Sequence, residues 1–460
     1  MHYTPTIGRS VDYVEHKLNR PKYYPCPQCG KKGKRKQTIE RSVKHVGPLH
    51  RPSFIKAKVG VYQARCQCCK FFQAPIPGVP HQGHYTFAVR EAVANSVIRD
   101  RMPYRLVIEK MLEDYSLDLS LGYVHSCFLW AHEQIDMEAH WQFVLENFSG
   151  VLCLDEVHDS GRTILFATDP LNDFTVSFKL VEKNDQTNMD TFLQSLKDRG
   201  IEVIVAISDG SPLYKNCLQS WWQDCQHQLC IFHVFKEVNK LVLDGVRAIK
   251  NQIQRQGNKG RKRRPGRPTK KAAQQRQAKS EMTKKEQATF IWEHQYLIVK
   301  KPENLTDQDT LDLALMLEIA PQLKLFRLFN HQFYHLFEKG ISKQTARLRR
   351  TLMVNNLEYQ ANTFLAKALK KLKKESFEKM ITFLEWKNVD CTNNHVERNN
   401  RCFRMMQKTR YKRRKTHTIK KMIELHLFDR MLKHFLFHPK PDSHPLHFHQ
   451  ANIHNKKLAA

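Results

Sequence analysis

The spacing of apolar residues changes character several times along the chain. Phe54-Ile-Lys-Ala-Lys-Val-Gly-Val-Tyr62 alternates with a period of two and predicts a strand with one buried face. Between 84 and 135 the period lengthens and predicts three helices; Tyr104, Val107, Ile108, Met111 and Leu112 share one helical face, and Ser120 is placed to cap the helix that runs on to Trp130. From 150 onward short apolar runs alternate with helical segments. Val151–Leu154, Thr163–Thr168 and Phe174–Val181 read as three meandering strands. Asn188–Asp198 reads as helix, Val203–Ile207 as a fourth strand, 211–222 as helix and Gln228–Phe232 as a fifth strand. This order predicts a mixed sheet flanked by helices. Beyond Lys236 the pattern is helical, with Leu and Phe stripes over 288–386 and again over 391–437.

At 460 residues the chain calls for several domains. Those the pattern defines are a cysteine-rich module at 20–82, a helical module at 84–135, an α/β segment at 150–236, a helical insertion at 237–390, a helical segment at 391–437 and a polar tail at 438–460. Within the insertion, 257–287 is a basic arm with eight Lys or Arg among the thirteen residues from Lys259 to Lys271. Mean hydropathy is −0.58, and no stretch has the apolar length of a membrane span, so a membrane partner is not expected. The first twenty residues lack the apolar core of a secretory signal, which points to a cytoplasmic protein. With 76 Lys and Arg against 45 Asp and Glu, the net charge of +31 makes a polyanion, and above all DNA, the expected partner.

Five of the twelve cysteines lie within 20–82. Cys26-Pro-Gln-Cys29 and Cys66-Gln-Cys68-Cys69 offer two C-x-x-C pairs, so Cys26, Cys29, Cys66 and Cys69 are candidate ligands of a structural Zn²⁺, with Cys68 as a spare thiol. Four thiolates leave no open position for substrate, so the site would be structural. Helices 104–114 and 120–132 have helix-turn-helix proportions, although the turn lacks the glycine often found there. Two carboxylates end strands: Asp155 the first and Asp209, in Ser208-Asp209-Gly210, the fourth. If those strands are neighbours, both side chains emerge at one end of the sheet and suit Mg²⁺. Each could instead cap the element that follows it. Glu397, in Asn394-His-Val-Glu397-Arg-Asn-Asn400, supplies a third carboxylate. With Asn394 as N-cap it would also fit a capping box. Arg401 and Arg404 follow on the same face, and 408–421 holds eight Lys or Arg, as a path for a phosphodiester backbone would require.

Taken in order, a strand-end Asp, an Asp-Gly after the fourth strand, Cys230-Ile-Phe-His233 after the fifth, a long helical insertion and an Asn-x-x-Glu-Arg-x-Asn helix resemble the DDE transposases of bacterial insertion sequences. These have an RNase H-like core, a C/D-x-x-H motif and Mutator-like relatives. The resemblance implies a multidomain α/β protein with an RNase H-like mixed sheet, an all-α insertion, an N-terminal zinc-binding module and a helix-turn-helix. In it Asp155, Asp209 and Glu397 take the place of the acidic triad that holds two Mg²⁺ ions, or Mn²⁺, and Cys230 and His233 that of the C/D-x-x-H pair, as support for the site or as DNA contacts. It implies Mg²⁺-dependent cleavage and strand transfer at terminal inverted repeats, double-stranded DNA of element ends and target as partner, a homodimer or larger synaptic assembly, and nucleoid association. A domesticated DNA-binding regulator without catalysis and a nuclease without strand transfer are the alternatives. Glu156 points to the opposite face of its strand from Asp155 and is not counted as a ligand; Asp159 and Asp169 are rivals for the first position in turn-like surroundings. Arg264-Pro-Gly-Arg-Pro268 resembles part of an AT-hook, with a phosphate-binding linker as the simpler reading. The tail histidines (His438, His444, His447, His449 and His454) could bind metal, though a solvated tail suffices to explain them.

Overall fold

A computed structural model describes residues 11–64, 71–159, 161–214, 217–259, 282–386, 388–407 and 414–437. By packing the chain divides into two units, Met1–Glu146 with Asn399–Ala460, and Asn147–Arg398.

The first unit opens with strands β1 (Asp12–His16), β2 (Tyr23–Pro25), β3 (Lys32–His45), β4 (Ser53–Ala64) and β5 (Phe71–Gln73). They form one sheet in the order β1-β4-β3-β2, with β5 also on β4 and only β1 running parallel to its neighbour. The period-two alternation of β4 has its expected effect: Ile55, Ala57 and Val59 are buried on one face and pack with Val43, Tyr62 and Phe72. Between β2 and β3 the Cys26–Cys29 knuckle closes on itself, because Gly30 adopts a φ of 71° and returns its N–H to the Cys26 carbonyl.

Helices α1 (Phe87–Ile98), α2 (Tyr104–Tyr115) and α3 (Leu121–Glu133) follow, then α4 (Met137–Asn147). Ser120 caps α3 through a bond from the Tyr123 N–H, as expected. Where a glycine would ordinarily end α2, Ser116 takes the left-handed conformation (φ 54°, ψ 34°). The buried stripe of α2 is narrower than its apolar spacing implies: Val107 and Met111 are buried, while Leu112 is exposed. The final helix (Thr416–Phe437) joins this bundle through the Arg99–Asp429 pair at 2.7 Å and the His132–Glu424 pair at 2.7 Å.

The second unit is built on the expected mixed sheet. Strands β6 (Val151–Asp159), β7 (Arg162–Asp169) and β8 (Phe174–Val181) form an antiparallel meander; β9 (Val205–Ser208) and β10 (Gln226–Leu229) lie parallel to β6 on its other side, in the order β10-β9-β6-β7-β8. Helix α5 (Gln186–Asp198) connects β8 to β9. Three element assignments change. Strand β6 does not stop at Leu154 but runs on to Asp159, because residues 155 to 159 keep pairing with β7, so Asp155 sits mid-strand opposite Phe166 and not at a strand end. The 211–222 segment is not one helix but a 3₁₀ turn (Pro212–Tyr214) and a short α6 (Cys217–Trp221). The last strand ends at Leu229, and Ile231 and Phe232 open α7 (Ile231–Lys259) instead of extending the sheet. A four-residue apolar run cannot distinguish a strand from the buried first turn of a helix by period alone.

Among the described residues, seven further α-helices, from Lys284–Glu293 to Lys374–Met380, belong to the insertion. Phe235 on α7 packs edge-on against Phe333, Tyr334 and Phe337, and Gly245 lets α7 approach Phe326 more closely than any side chain would allow. The Glu397 helix, Asn394–Gln407, follows the insertion. Among the described residues no helix is long and apolar enough to cross a membrane.

Candidate active site

The parallel pairing of β6 with β9 aligns Val151 with Val205, Leu152 with Ala206 and Cys153 with Ile207, a constant offset of 54. Extended by two residues, the same offset sets Asp155 level with Asp209. The interval between the two aspartates along the chain is therefore the register of the sheet. Each aspartate also serves its local backbone: Asp155 Oδ1 accepts the Glu156 N–H (2.9 Å), and Asp209 Oδ1 accepts the Ser211 N–H (2.9 Å). The capping role open to such residues is thus real at Asp209 and coexists with its place at the sheet edge.

Glu397 lies close enough for its charge to act on Asp155. Its N–H bonds the Asn393 carbonyl, the first turn of a helix that starts at Asn394, so Asn393 is the cap and Glu397 the fourth helical residue. A capping box needs its glutamate at the third, so that reading is excluded.

The three carboxylates interact through their charges. Burial, followed by the fields of Glu156, Asp209 and Glu397, pushes the Asp155 carboxyl up to about 7, against the bond it accepts from the Glu156 N–H. His233, in the first turn of α7, has Nε2 3.8 Å from Glu397 Oε1. The neighbouring Cys230 side chain and the fields of Asp209 and Glu397 raise the His233 pKa against the lowering effect of burial. Its Nδ1 is buried without a hydrogen-bond partner, because the Cys230 thiol donates instead to Asn393 Oδ1 (3.1 Å) while accepting the Asn393 N–H (3.3 Å).

Among the described residues no three His, Cys, Asp or Glu side chains converge tightly enough to enclose a metal ion. The donor set nevertheless fits a hard divalent cation. It is all oxygen at Asp155, Asp209 and Glu397, and burial first, then the neighbouring carboxylates, raises the Asp155 pKa. Glu156 takes no part: it accepts the Tyr214 hydroxyl (2.6 Å) and the Asn184 amide (3.1 Å). Asp169 is engaged elsewhere too, accepting from the Ser149 N–H and hydroxyl and from the Leu171 and Asn172 N–H groups at 2.7–3.1 Å. Asp159 is buried at the far end of β6. Neither rival displaces Asp155.

Arg401 and Arg404 occupy exposed positions of the helix that carries Glu397. Of the candidate zinc ligands, Cys26 is buried and Cys29 exposed; Cys66 and Cys69 lie outside the described residues, as do the basic arm from 260 to 281 and the tail from 438. Sequence reasoning passed over Asn393 and His395. Their only signal was proximity to Glu397, since their partners are 163 and 222–227 positions away.

A family profile described as transposase matches residues 152–422, more than half of the chain. Among solved structures, the Drosophila P element transposase strand transfer complex is similar over 75% of this chain and 91% of that chain, at 10% sequence identity and a TM-score of 0.39. No curated protein matches the sequence.

Proposed function

Because this chain belongs to the DDE transposases of insertion sequences, we propose that it binds the terminal inverted repeats of a mobile element and catalyses divalent-dependent strand cleavage and strand transfer at Asp155, Asp209 and Glu397. The observation that carries this reading is the shared 54-residue offset that sets Asp155 level with Asp209, in charge contact with Glu397. Asp155, Asp209 and Glu397 would hold divalent ions, Mg²⁺ or Mn²⁺, which would supply polarisation of an attacking oxygen and neutralisation of charge on the leaving one.

The remaining roles belong to the chain's own residues. Asp155, mid-strand on β6, and Asp209, just past the end of β9, hold their oxygens on a rigid sheet, and Glu397 adds a third ligand from a helix. His233, 3.8 Å from Glu397, presents its imidazole beside the carboxylates, where it can hydrogen-bond a scissile phosphate. Cys230 fixes Asn393, and through it the start of the Glu397 helix. Arg401 and Arg404 extend a cationic path for the DNA backbone. Helices α2 and α3 form the helix-turn-helix, with α3 as the major-groove reader, and Cys26, Cys29, Cys66 and Cys69 hold a structural Zn²⁺. Since two element ends must be joined, a homodimer or larger assembly is the working form.

The test is incubation of the protein with end-bearing DNA and Mg²⁺. End-specific nicks and joined products are expected; Asp155→Asn, Asp209→Asn and Glu397→Gln each abolish both while end binding persists. Binding with no cleavage by the wild type would instead identify a regulator, and cleavage without joined products a nuclease.

A further inference from the structure

The Glu397 helix has to hold its carboxylate against two aspartates on a separate sheet. On one side the Cys230–Asn393 contacts secure its start, together with a bond from the Ile231 N–H to the Cys391 carbonyl (2.9 Å). On the other side stands His395, only 7% exposed, with Nδ1 3.0 Å from Thr168 Oγ1 and Nε2 2.6 Å from Asp173 Oδ1. Residues two apart on a helix point to opposite sides, so His395 can anchor the helix from behind while Glu397 faces forward. An ionised Asp173 only accepts, so Nε2 donates to it, while Nδ1 shares a hydrogen bond with the Thr168 hydroxyl.

Both partners of His395 are themselves held by the fold. Thr168 is fully buried on β7, opposite Cys153 and two residues back along β6 from Asp155. A register shift in the β7–β8 pairing falls between Ala167 and Thr168, the kind of irregularity that re-aims a side chain. Asp173 sits in the connection to β8 with a φ of 51°, in a turn that Asp169 assembles by accepting the Leu171 and Asn172 N–H groups. A chain of fixed contacts thus runs from the strand that bears Asp155 to the helix that bears Glu397.

We infer that His395 is a positioning residue: by locking the Glu397 helix to Thr168 and Asp173 it sets the distance between Glu397 and the two aspartates, and with it the divalent affinity of the site. This rests on the reading that Asp155, Asp209 and Glu397 share divalent ions. It assigns His395 no contact with metal or DNA.

The test uses the full-length, zinc-loaded chain and Mn²⁺ as the probe, with affinity measured by calorimetry in the absence of DNA. His395→Ala is expected to weaken Mn²⁺ binding about tenfold, the low end for loss of a supporting contact. Asp173→Gly, which keeps the turn conformation but removes the carboxylate, is expected to weaken it about threefold. In cleavage assays the Mg²⁺ needed for half-maximal rate should rise in step, with end-DNA affinity unchanged, a pattern that general loss of stability would not produce. Wild-type Mn²⁺ affinity in both variants, when folded, overturns the inference. If His395→Ala does not fold, Asp173→Gly decides alone. Asp155→Asn is the control: if it binds Mn²⁺ like the wild type, the metal reading fails and this inference with it. If Asp155→Asn loses Mn²⁺ while the two clamp variants keep it, only the clamp is refuted.

Discussion

Replacing Asp155 by Asn should stabilise the metal-free protein, although it destroys the proposed activity. In the unfolded chain an aspartate ionises near 3.8; in the fold burial and neighbouring carboxylates hold the proton until about 7. The gap is about a thousandfold in proton affinity, or ~4 kcal/mol at full ionisation. Water reaching the half-buried carboxyl screens this to roughly 2 kcal/mol. The stability this group allows is complete below pH 3.8 and lost as pH rises through 7, so the advantage of Asn is largest at pH 8 and vanishes near pH 4. For a folding unit of 252 residues (147 to 398), roughly 2 kcal/mol corresponds to a rise of about 4–8 °C in Tm. Melting both proteins by circular dichroism at pH 4 and pH 8, with EDTA and then with Mg²⁺, checks this. Mg²⁺ should raise the wild-type Tm at pH 8 and leave the variant almost unmoved. A variant less stable than the wild type at pH 8 in EDTA, or one that gains equally from Mg²⁺, would refute the claim that burial and neighbouring carboxylates disfavour the charged form of Asp155.

Glu397→Gln should lower the His233 pKa, because the Glu397 carboxylate helps to hold it up; a histidine NMR titration without divalent ions reads the direction, and an unchanged value would separate the two side chains. Asp169→Ala leaves four donors around Ser149 and the 171–172 turn without their acceptor and should cost about 3 kcal/mol in a urea unfolding experiment. Ser120→Ala should cost about 1 kcal/mol through loss of the α3 cap, seen as an earlier unfolding transition. Deleting 259–271 should weaken DNA binding and flatten its salt dependence; an unchanged slope would remove that segment from the interface.

How far the site could be read in the sequence depended on the range of each contact. Asp155 and Asp209 were legible because strand runs are local signals and the parallel register sets the two at equal depth; Asp155 was misread as a strand end because the paired residues after it, Glu156 to Asp159, are too polar to read as strand. Glu397 stood out through its helix and the cations after it. His395 could not be found this way. A histidine beside a glutamate has no local mark of burial, and its partners come from a hairpin more than 220 positions earlier. The end of β10 was misplaced for a different reason. Cys230 gives its N–H to the Ser208 carbonyl as a strand residue would, yet the chain turns into α7 immediately afterwards, with the Ile231 N–H bonded to Cys391. Distant pairing ended the strand, not composition. Asp169, expected in turn-like surroundings, is the last residue of β7, and its work in organising the turn that follows was visible only once Ser149 lay beside it.

Helix α7 begins two residues before His233 and continues for 29 residues, a rod of about 43 Å. Laid along B-form DNA, that length equals about a dozen base pairs. A nucleotide held at His233 therefore cannot also be touched from the Lys259 end of the rod.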